Sequence, residues 1–312
     1  MDSIRFVENP AQNYCEEIVA EIVRTEDWTR IKGEYDIWSE TQDLFWFLVA
    51  FDKKTGSPVG SISLTMDRSP KGDTDDDLYY IGSFYTKESH RGIGLGLIMF
   101  QKCMEQTKGK NVNLNSALVM VDFYDKRFGF TKYPEYFNAF AKMKLSALEL
   151  SGALQSGVHI KDVGDIDFAA IISYDQSICS RQRTKYLKKW LTGQYATSKV
   201  AVDDKGSVLG VVCVRPQIVN RITVGPFYAN DEKIAHDLLL SCLKDVPDRD
   251  AYDCLWMRFP EPNDVSIRRI LDDLTNGEYK ITRSVKSMFT KRLIEPNPML
   301  IFSVFEAGHS LV

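Results

Sequence analysis

Residues 78–96 read Leu78-Tyr79-Tyr80-Ile81-Gly82-Ser83-Phe84-Tyr85-Thr86, then Lys87–His90, then Arg91-Gly92-Ile93-Gly94-Leu95-Gly96. The first nine residues are aromatic, β-branched and apolar, which predicts a strand. From about residue 94 to 108, Leu95, Ile98, Met99 and Met104 recur at helical spacing. The glycines therefore lie between a strand and the start of a helix. Glycine has no Cβ, so a pyrophosphate can approach its backbone closely. The first amides of a helix point their N–H groups outward, and the helix dipole favours an anion there. A glycine-rich turn before a helix is the plainer reading, but the strand, helix and leading Arg91 occur together.

Working outward, Ile4–Val7 is expected to be a strand, residues 11–28 a helix, and 45–66 a β-hairpin turning at Asp52–Gly56. After the glycine segment come a strand (Val112–Ala117), a helix (118–128) and a strand (Tyr136–Leu145). Residues 146–158 are small and polar and read as a linker. The second half then repeats the order: strand, two helices, a hairpin at 200–215, strand 221–228, helix 231–244, strand 252–259 and helix 263–274. Two closing strands are expected at 279–292 and 299–306. This repeat predicts a tandem duplication with domains at 1–148 and 157–312, each a mixed α/β (α+β) sheet flanked by helices.

Composition narrows the function. The 312 residues are 44% hydrophobic and 26% charged, with a net charge of −4. No basic field invites nucleic acid or anionic lipid, and no apolar run is long enough to span a membrane. The six cysteines form no C-x-x-C pair and the start of the chain has no signal-peptide pattern, so a cytoplasmic protein with reduced thiols is expected. Four scattered histidines, including His309, lack metal-ligand spacing, so no metal is expected.

At Arg91, Gly94 and Gly96 the sequence matches Arg/Gln-x-x-Gly-x-Gly/Ala and resembles the GCN5-related N-acetyltransferase (GNAT) family. The resemblance covers about residues 3–145, and the whole chain looks like tandem members of that family. It implies an acetyl-CoA-dependent N-acetyltransferase in which an amine of a small molecule or protein attacks the thioester directly. Implied cofactor-binding residues are Phe84, Tyr85 and Thr86 through main chain, and Arg91, Gly92, Ile93, Gly94, Leu95 and Gly96 around the pyrophosphate. A monomer with internal pseudo-dimer symmetry or a homodimer is expected. The alternative is a non-catalytic acyl-CoA-binding or regulatory module.

The family's tyrosine acid stands in Tyr-x-x-x-Gly-Phe, whereas Tyr124-Asp125-Lys126-Arg127-Phe128-Gly129-Phe130 is one residue longer. Tyr124 is the candidate acid, and packing beside Phe123 and Phe128 explains it equally well. No general base stands out. Tyr79, Ser83 and Tyr85 are expected on one side of their strand. The run Asp73–Asp77 reads as a solvated charge run, and Trp28, Tyr35, Trp38 and Trp46 as core or acceptor-pocket aromatics. The second half's counterpart of the glycine loop is expected at Gly225–Glu232, where Pro226, Asp231 and Glu232 disfavour an anion.

Overall fold

The computed structural model describes residues 2–306 and 308–311, with Ser284 described by its backbone alone. The first half runs β1 (Ile4–Glu8), α1 (Gln12–Glu26), α2 (Glu34–Thr41), β2 (Phe45–Asp52), β3 (Pro58–Asp67), β4 (Leu78–Thr86), α3 (Leu95–Gln106), β5 (Asn111–Ala117), α4 (Val121–Phe128) and β6 (Asn138–Lys144). The second runs β7 (His159–Asp162), α5 (Phe168–Cys179), α6 (Thr184–Thr192), β8 (Thr197–Val202), β9 (Val208–Pro216), β10 (Arg221–Ala229), α7 (Glu232–Lys244), β11 (Cys254–Pro260), α8 (Asp264–Thr275), β12 (Tyr279–Phe289) and β13 (Ile301–Ser303). No helix among the described residues is long and apolar enough to cross a membrane.

The two mixed sheets join edge to edge. Strand order is β1-β2-β3-β4-β5-β12-β6-β11-β10-β9-β8-β7, with β13 set against β10. Strand β12 therefore does not close the second half's sheet, as the sequence order suggested. It lies between β5 and β6 of the first half, antiparallel to both. Strand β6 in turn pairs β11. The halves exchange strands, so each completes the other's sheet. One face carries α1, α2, α5 and α6 over a core shared by both halves. On the other face α3 and α4 pack on the first half, and α7 and α8 on the second.

The linker is tied down. Glu149 N–H donates to Leu274 O (2.7 Å), and Asp237 accepts from the amides of Gln155 and Ser156. Residues Asp75 to Asp77 are likewise not simply solvated. Asp75 pairs with Lys110, and Asp77 with Arg68. Asp76 takes Arg181 and Arg292 of the second half. The acidic run is one seam of the interface.

The duplication is visible in register. Strands β4 and β5 pair in parallel from Leu78–Asn111 to Ile81–Leu114. Strands β10 and β11 pair from Arg221–Cys254 to Val224–Met257, each partner 143 residues further on. Gly82-Ser83-Phe84-Tyr85 recurs as Gly225-Pro226-Phe227-Tyr228 at the same offset.

Candidate active site

Beyond Ile81 the partners β4 and β5 separate, and the backbone from Gly82 to Thr86 has no strand on that side among the described residues. A bulge marks the parting. On β3, only Ile62 separates Ser61 (opposite Tyr85) from Ser63 (opposite Gly82), whereas Ser83 and Phe84 separate their partners on β4. Ser83 sits in the left-handed region at φ 47°. The extra residue resets the alternation of side chains. Tyr79, Ile81 and Phe84 consequently face the α3 side, while Tyr80 and Tyr85 face the α1–α2 side. Tyr79 and Tyr85 are thus on opposite faces, contrary to simple alternation. The bulge is the cause.

After β4 the chain makes a short turn (Glu88–His90) and reaches Arg91. The Arg91 side chain is half-exposed and lies back along the loop. Its Nε donates to Thr86 O (2.8 Å) and its Nη2 to Glu26 Oε1 (2.5 Å), which fixes the loop against β4 and α1. Gly92 and Gly94 have φ 79° and 84°, where L side chains are strained, and both face open space. Gly94 is the N-cap of α3. No backbone hydrogen bond from the amides of Gly92 to Leu97 occurs among the described residues, so the helix end presents a set of unpaired donors. Gly96 packs closely: a Cβ there would stand 3.3 Å from both the Phe84 ring and Thr86 Oγ1. Ile93 is exposed and Leu95 is buried in the core.

Tyr124 is the buried residue of α4, its ring 6.4 Å from Phe84 and 5.3 Å from Phe100. The extra residue before Gly129-Phe130 does not turn it away from β4. Burial pushes its phenol pKa well up, so it stays protonated.

The opposite face of the parting is polar. Ser61, Ser63, Thr65 and Asp67 share one face of β3 and all are buried. Ser61 Oγ donates to Ser83 O (2.7 Å), and Arg30 Nη2 donates to Ser83 Oγ (3.3 Å). Ser63 Oγ is 2.7 Å from His309 Nε2. At the far end of this face Asp67 borders a cavity of about 200 Å³ shared with Arg68, Gln182, Arg183 and Tyr186. Burial raises its carboxyl to about 7, against the nearby Arg183 charge. Of the early aromatics, Trp38 is buried against the His309 ring (4.4 Å) while Trp28 is partly exposed over Arg30. Trp46 donates its Nε1–H to Glu8 (3.1 Å), and Tyr35 meets Phe45 edge to face.

Sequence reasoning passed over Arg30, Glu34, Glu306 and His309. The alternation Ser61-x-Ser63-x-Thr65-x-Asp67 on a strand inside a sheet was a usable signal. His309 had none, because Ser63 and Trp38, which it meets, are more than 200 residues away in the chain.

A model of the Acetyltransferase (GNAT) family matches residues 13–130, and a second, of the Acetyltransferase (GNAT) domain, matches residues 171–264. The chain is a tandem GNAT acetyltransferase-family protein. Among solved structures it resembles a putative acetyltransferase from Pyrococcus horikoshii, at TM-score 0.70 and 15% identity over 99% of this chain and 97% of that one. It also resembles a tandem GNAT protein from the clavulanic acid biosynthesis pathway, at TM-score 0.62 and 13% identity over 92% and 97%. A third is the GCN5-related glucosamine N-acetyltransferase region of a fungal multi-domain GH3 β-N-acetylglucosaminidase. That match has TM-score 0.64 and 12% identity, over 92% of this chain and 38% of that one. At these identities the likeness is one of fold. No curated protein matches the chain in sequence.

The second GNAT domain has the same parting with different contents. Its bulge places Gly225 and Pro226 opposite a single residue of β9. Into the parting goes β13, which pairs Phe227 and Tyr228. Ser303 bridges the separating strands: its Oγ donates to Val224 O (2.7 Å) and accepts from Arg258 N (3.1 Å). A Cβ on Gly225 would stand 2.2 Å from Val304 O. The loop expected at Gly225–Glu232 is absent, because Gly225 to Ala229 remain strand and α7 begins at Glu232. The Asp231 carboxylate caps α7 by accepting from Ile234 N (2.9 Å).

Proposed function

We propose that the first domain is an N-acyltransferase that takes an acetyl group from acetyl-CoA and passes it to an amine by direct attack. The observation that carries this reading is the strand-free parting of β4 and β5 below a glycine loop whose amides are unpaired. In this reading the amides from Gly92 to Leu97 hold the pyrophosphate and the exposed backbone of Phe84, Tyr85 and Thr86 pairs with the pantetheine arm. Arg91 acts on the loop through Thr86 and Glu26. A backbone donor at the bulge stabilises charge on the thioester oxygen. Tyr124, kept protonated by burial, supplies a proton to the departing sulfur. We place the domains at 1–148 and 157–312, joined through exchanged strands in a monomer. The six free thiols fit a reducing compartment such as the cytoplasm.

The test is a thermal shift with acetyl-CoA followed by thiol release across a panel of primary amines. Acetyl-CoA should raise the melting temperature, since a ligand specific for the folded state stabilises it. Tyr124→Phe should slow turnover about tenfold to a hundredfold with cofactor affinity unchanged. An unchanged rate removes Tyr124 from the mechanism. Binding without thiol release from any amine favours a non-catalytic acyl-CoA-binding module. No binding at all sinks the proposal.

A further inference from the structure

The segment that leaves β13 connects the two partings. From Val304 it departs the second domain's slot, where Val304 N–H donates to Arg258 O (2.7 Å). It ends its described course against β4 of the first domain. There His309 is fully buried, with its ring edge-on to Trp38. A Cβ built on Gly82 would stand 2.4 Å from His309 Nε2, so the imidazole lies directly on the backbone that opens the bulge. Glu306 accepts from the amides of Gly308 and His309, and its Oε1 is 3.4 Å from His309 Nδ1. Arg30 is 4.0 Å from Glu306 and 3.6 Å from Glu34.

We propose that His309, held by Glu306 and Arg30, takes the proton from the attacking amine in the first domain. This rests on acyl transfer at that site and adds the missing base. Two observations favour it. Tyr124 and Phe84 lie on one face of β4, and Gly82 with His309 on the other. A proton donor for the leaving sulfur and an acceptor for the incoming amine thus flank the same bulge. The other polar groups on the His309 side are poorer bases. A guanidinium such as that of Arg30 is a donor with no acceptor, and the hydroxyls of Ser61, Ser63 and Ser83 are weak acceptors. Burial raises the Glu34 carboxyl well above its ordinary range. Burial alone would raise Glu306 too, but contact with His309, the Arg30 charge and the Gly308 amide outweigh it, so Glu306 stays ionised. An ionised Glu306 beside Nδ1 favours the ring proton there and makes Nε2 the accepting nitrogen, with the Ser63 hydroxyl, 2.7 Å away, as its partner. The groups facing this cluster are Glu306 on its own segment, Arg30 before α2, Glu34 at its start, Arg215 of β9, Arg258 of β11, Tyr186 of α6, and Arg183 against Ser310.

The step balances. The amine lone pair forms the N–C bond and the C–S bond breaks. The Ser63 hydroxyl takes one amine proton as it passes its own to His309 Nε2, Tyr124 protonates the sulfur, and the products are an amide and the free thiol.

The decisive experiment titrates the full chain, labelled with ¹⁵N-histidine, with acetyl-CoA. It has four histidines, so the ring signals are resolvable. Acetyl-CoA should shift the His309 signals and leave those of His159 and His236, in the second domain, in place. In parallel, H309Q should bind acetyl-CoA within threefold of the parent, lose at least a hundredfold in kcat across the amine panel, and lose the acid limb of its pH–rate profile. Glu306→Gln should lose about tenfold and shift that limb. Acetyl-CoA binding with His309 signals unmoved, or an H309Q enzyme with the parent's rate and pH profile, overturns the proposal. Where no amine is turned over or H309Q fails to fold, the signal shift in the parent protein decides. Absence of acetyl-CoA binding would instead refute the acyl-transfer reading itself, and this proposal with it.

Discussion

Two partings of parallel strands, one in each domain, have the same geometry and opposite contents. Both open after the fourth paired residue, both carry a bulge, and both begin with Gly-x-Phe-Tyr. In the first, no strand enters, eight residues separate β4 from α3, and the β3 face beneath is Ser61, Ser63, Thr65 and Asp67. In the second, β13 enters, only Asn230 and Asp231 separate β10 from α7, and the corresponding residues are Val211, Cys213 and Arg215 of β9 and Gln217 just beyond it. A parting leaves backbone donors and acceptors without partners, and buried backbone groups must be paired. The second domain meets that demand with its own chain. The first has no strand there among the described residues, and a longer loop and a polar floor lie beside it.

The sharpest way to break this comparison is to spoil the open slot. Gly94→Glu places a carboxylate among the amides proposed to hold the pyrophosphate, at φ 84°, where a side chain is strained. Acetyl-CoA affinity should fall by roughly a thousandfold or more, about 4 kcal/mol, with the circular dichroism spectrum unchanged. Isothermal calorimetry measures it. Persistent binding would mean that the loop is not the phosphate site.

Next is the filled slot. Gly225→Val drives side-chain atoms into the Val304 and Phe305 carbonyls, which are backbone and cannot swing aside. Loss of about 3 kcal/mol or more is expected in urea unfolding, because β13 is displaced. Gly82→Ala, its counterpart, meets the His309 ring first, at 2.4 Å, a side chain rather than backbone, and should cost about 1 kcal/mol. Equal costs at the two glycines would contradict the difference in contents.

Much of this was legible in the chain. Glycine spacing located the loop, hydrophobic periodicity located most elements, and Asp231 and Glu232 marked the start of α7. What was not legible depends on long-range pairing. Strand β12 has the local pattern of any strand, and nothing in Tyr279–Phe289 says that its neighbours are β5 and β6. The bulge at Ser83 has no local marker beyond one glycine, so the facing of Tyr79 and Tyr85 was misassigned. His309 and Glu306 meet Arg30 and Ser63 only because the exchanged halves bring residues from both ends of the chain to one patch.

The last contrast concerns the far ends of the two floors, Asp67 in the first domain and Gln217 in the second. Both are buried. Burial raises the Asp67 carboxyl from 3.8 to about 7, the Arg183 charge only partly opposing it. An unfolded aspartate releases its proton near pH 4, so between about pH 4 and 7 the folded chain holds one proton more than the unfolded chain. This group's contribution is therefore fully present below pH 4 and is lost as pH rises through 7. Asp67→Asn gives the first floor a neutral amide like that of Gln217. At pH 8 the variant should be more stable than the parent by about 3 kcal/mol, and at pH 4 the two should agree within about 1 kcal/mol. Urea midpoints at the two pH values read the difference. A gap that fails to widen with pH would mean that Asp67 is ionised throughout and paired with Arg183. The polar floor of the first domain would then owe its stability to that ion pair, and the cavity beside Asp67 would present a fixed negative charge rather than a carboxyl that titrates near neutrality.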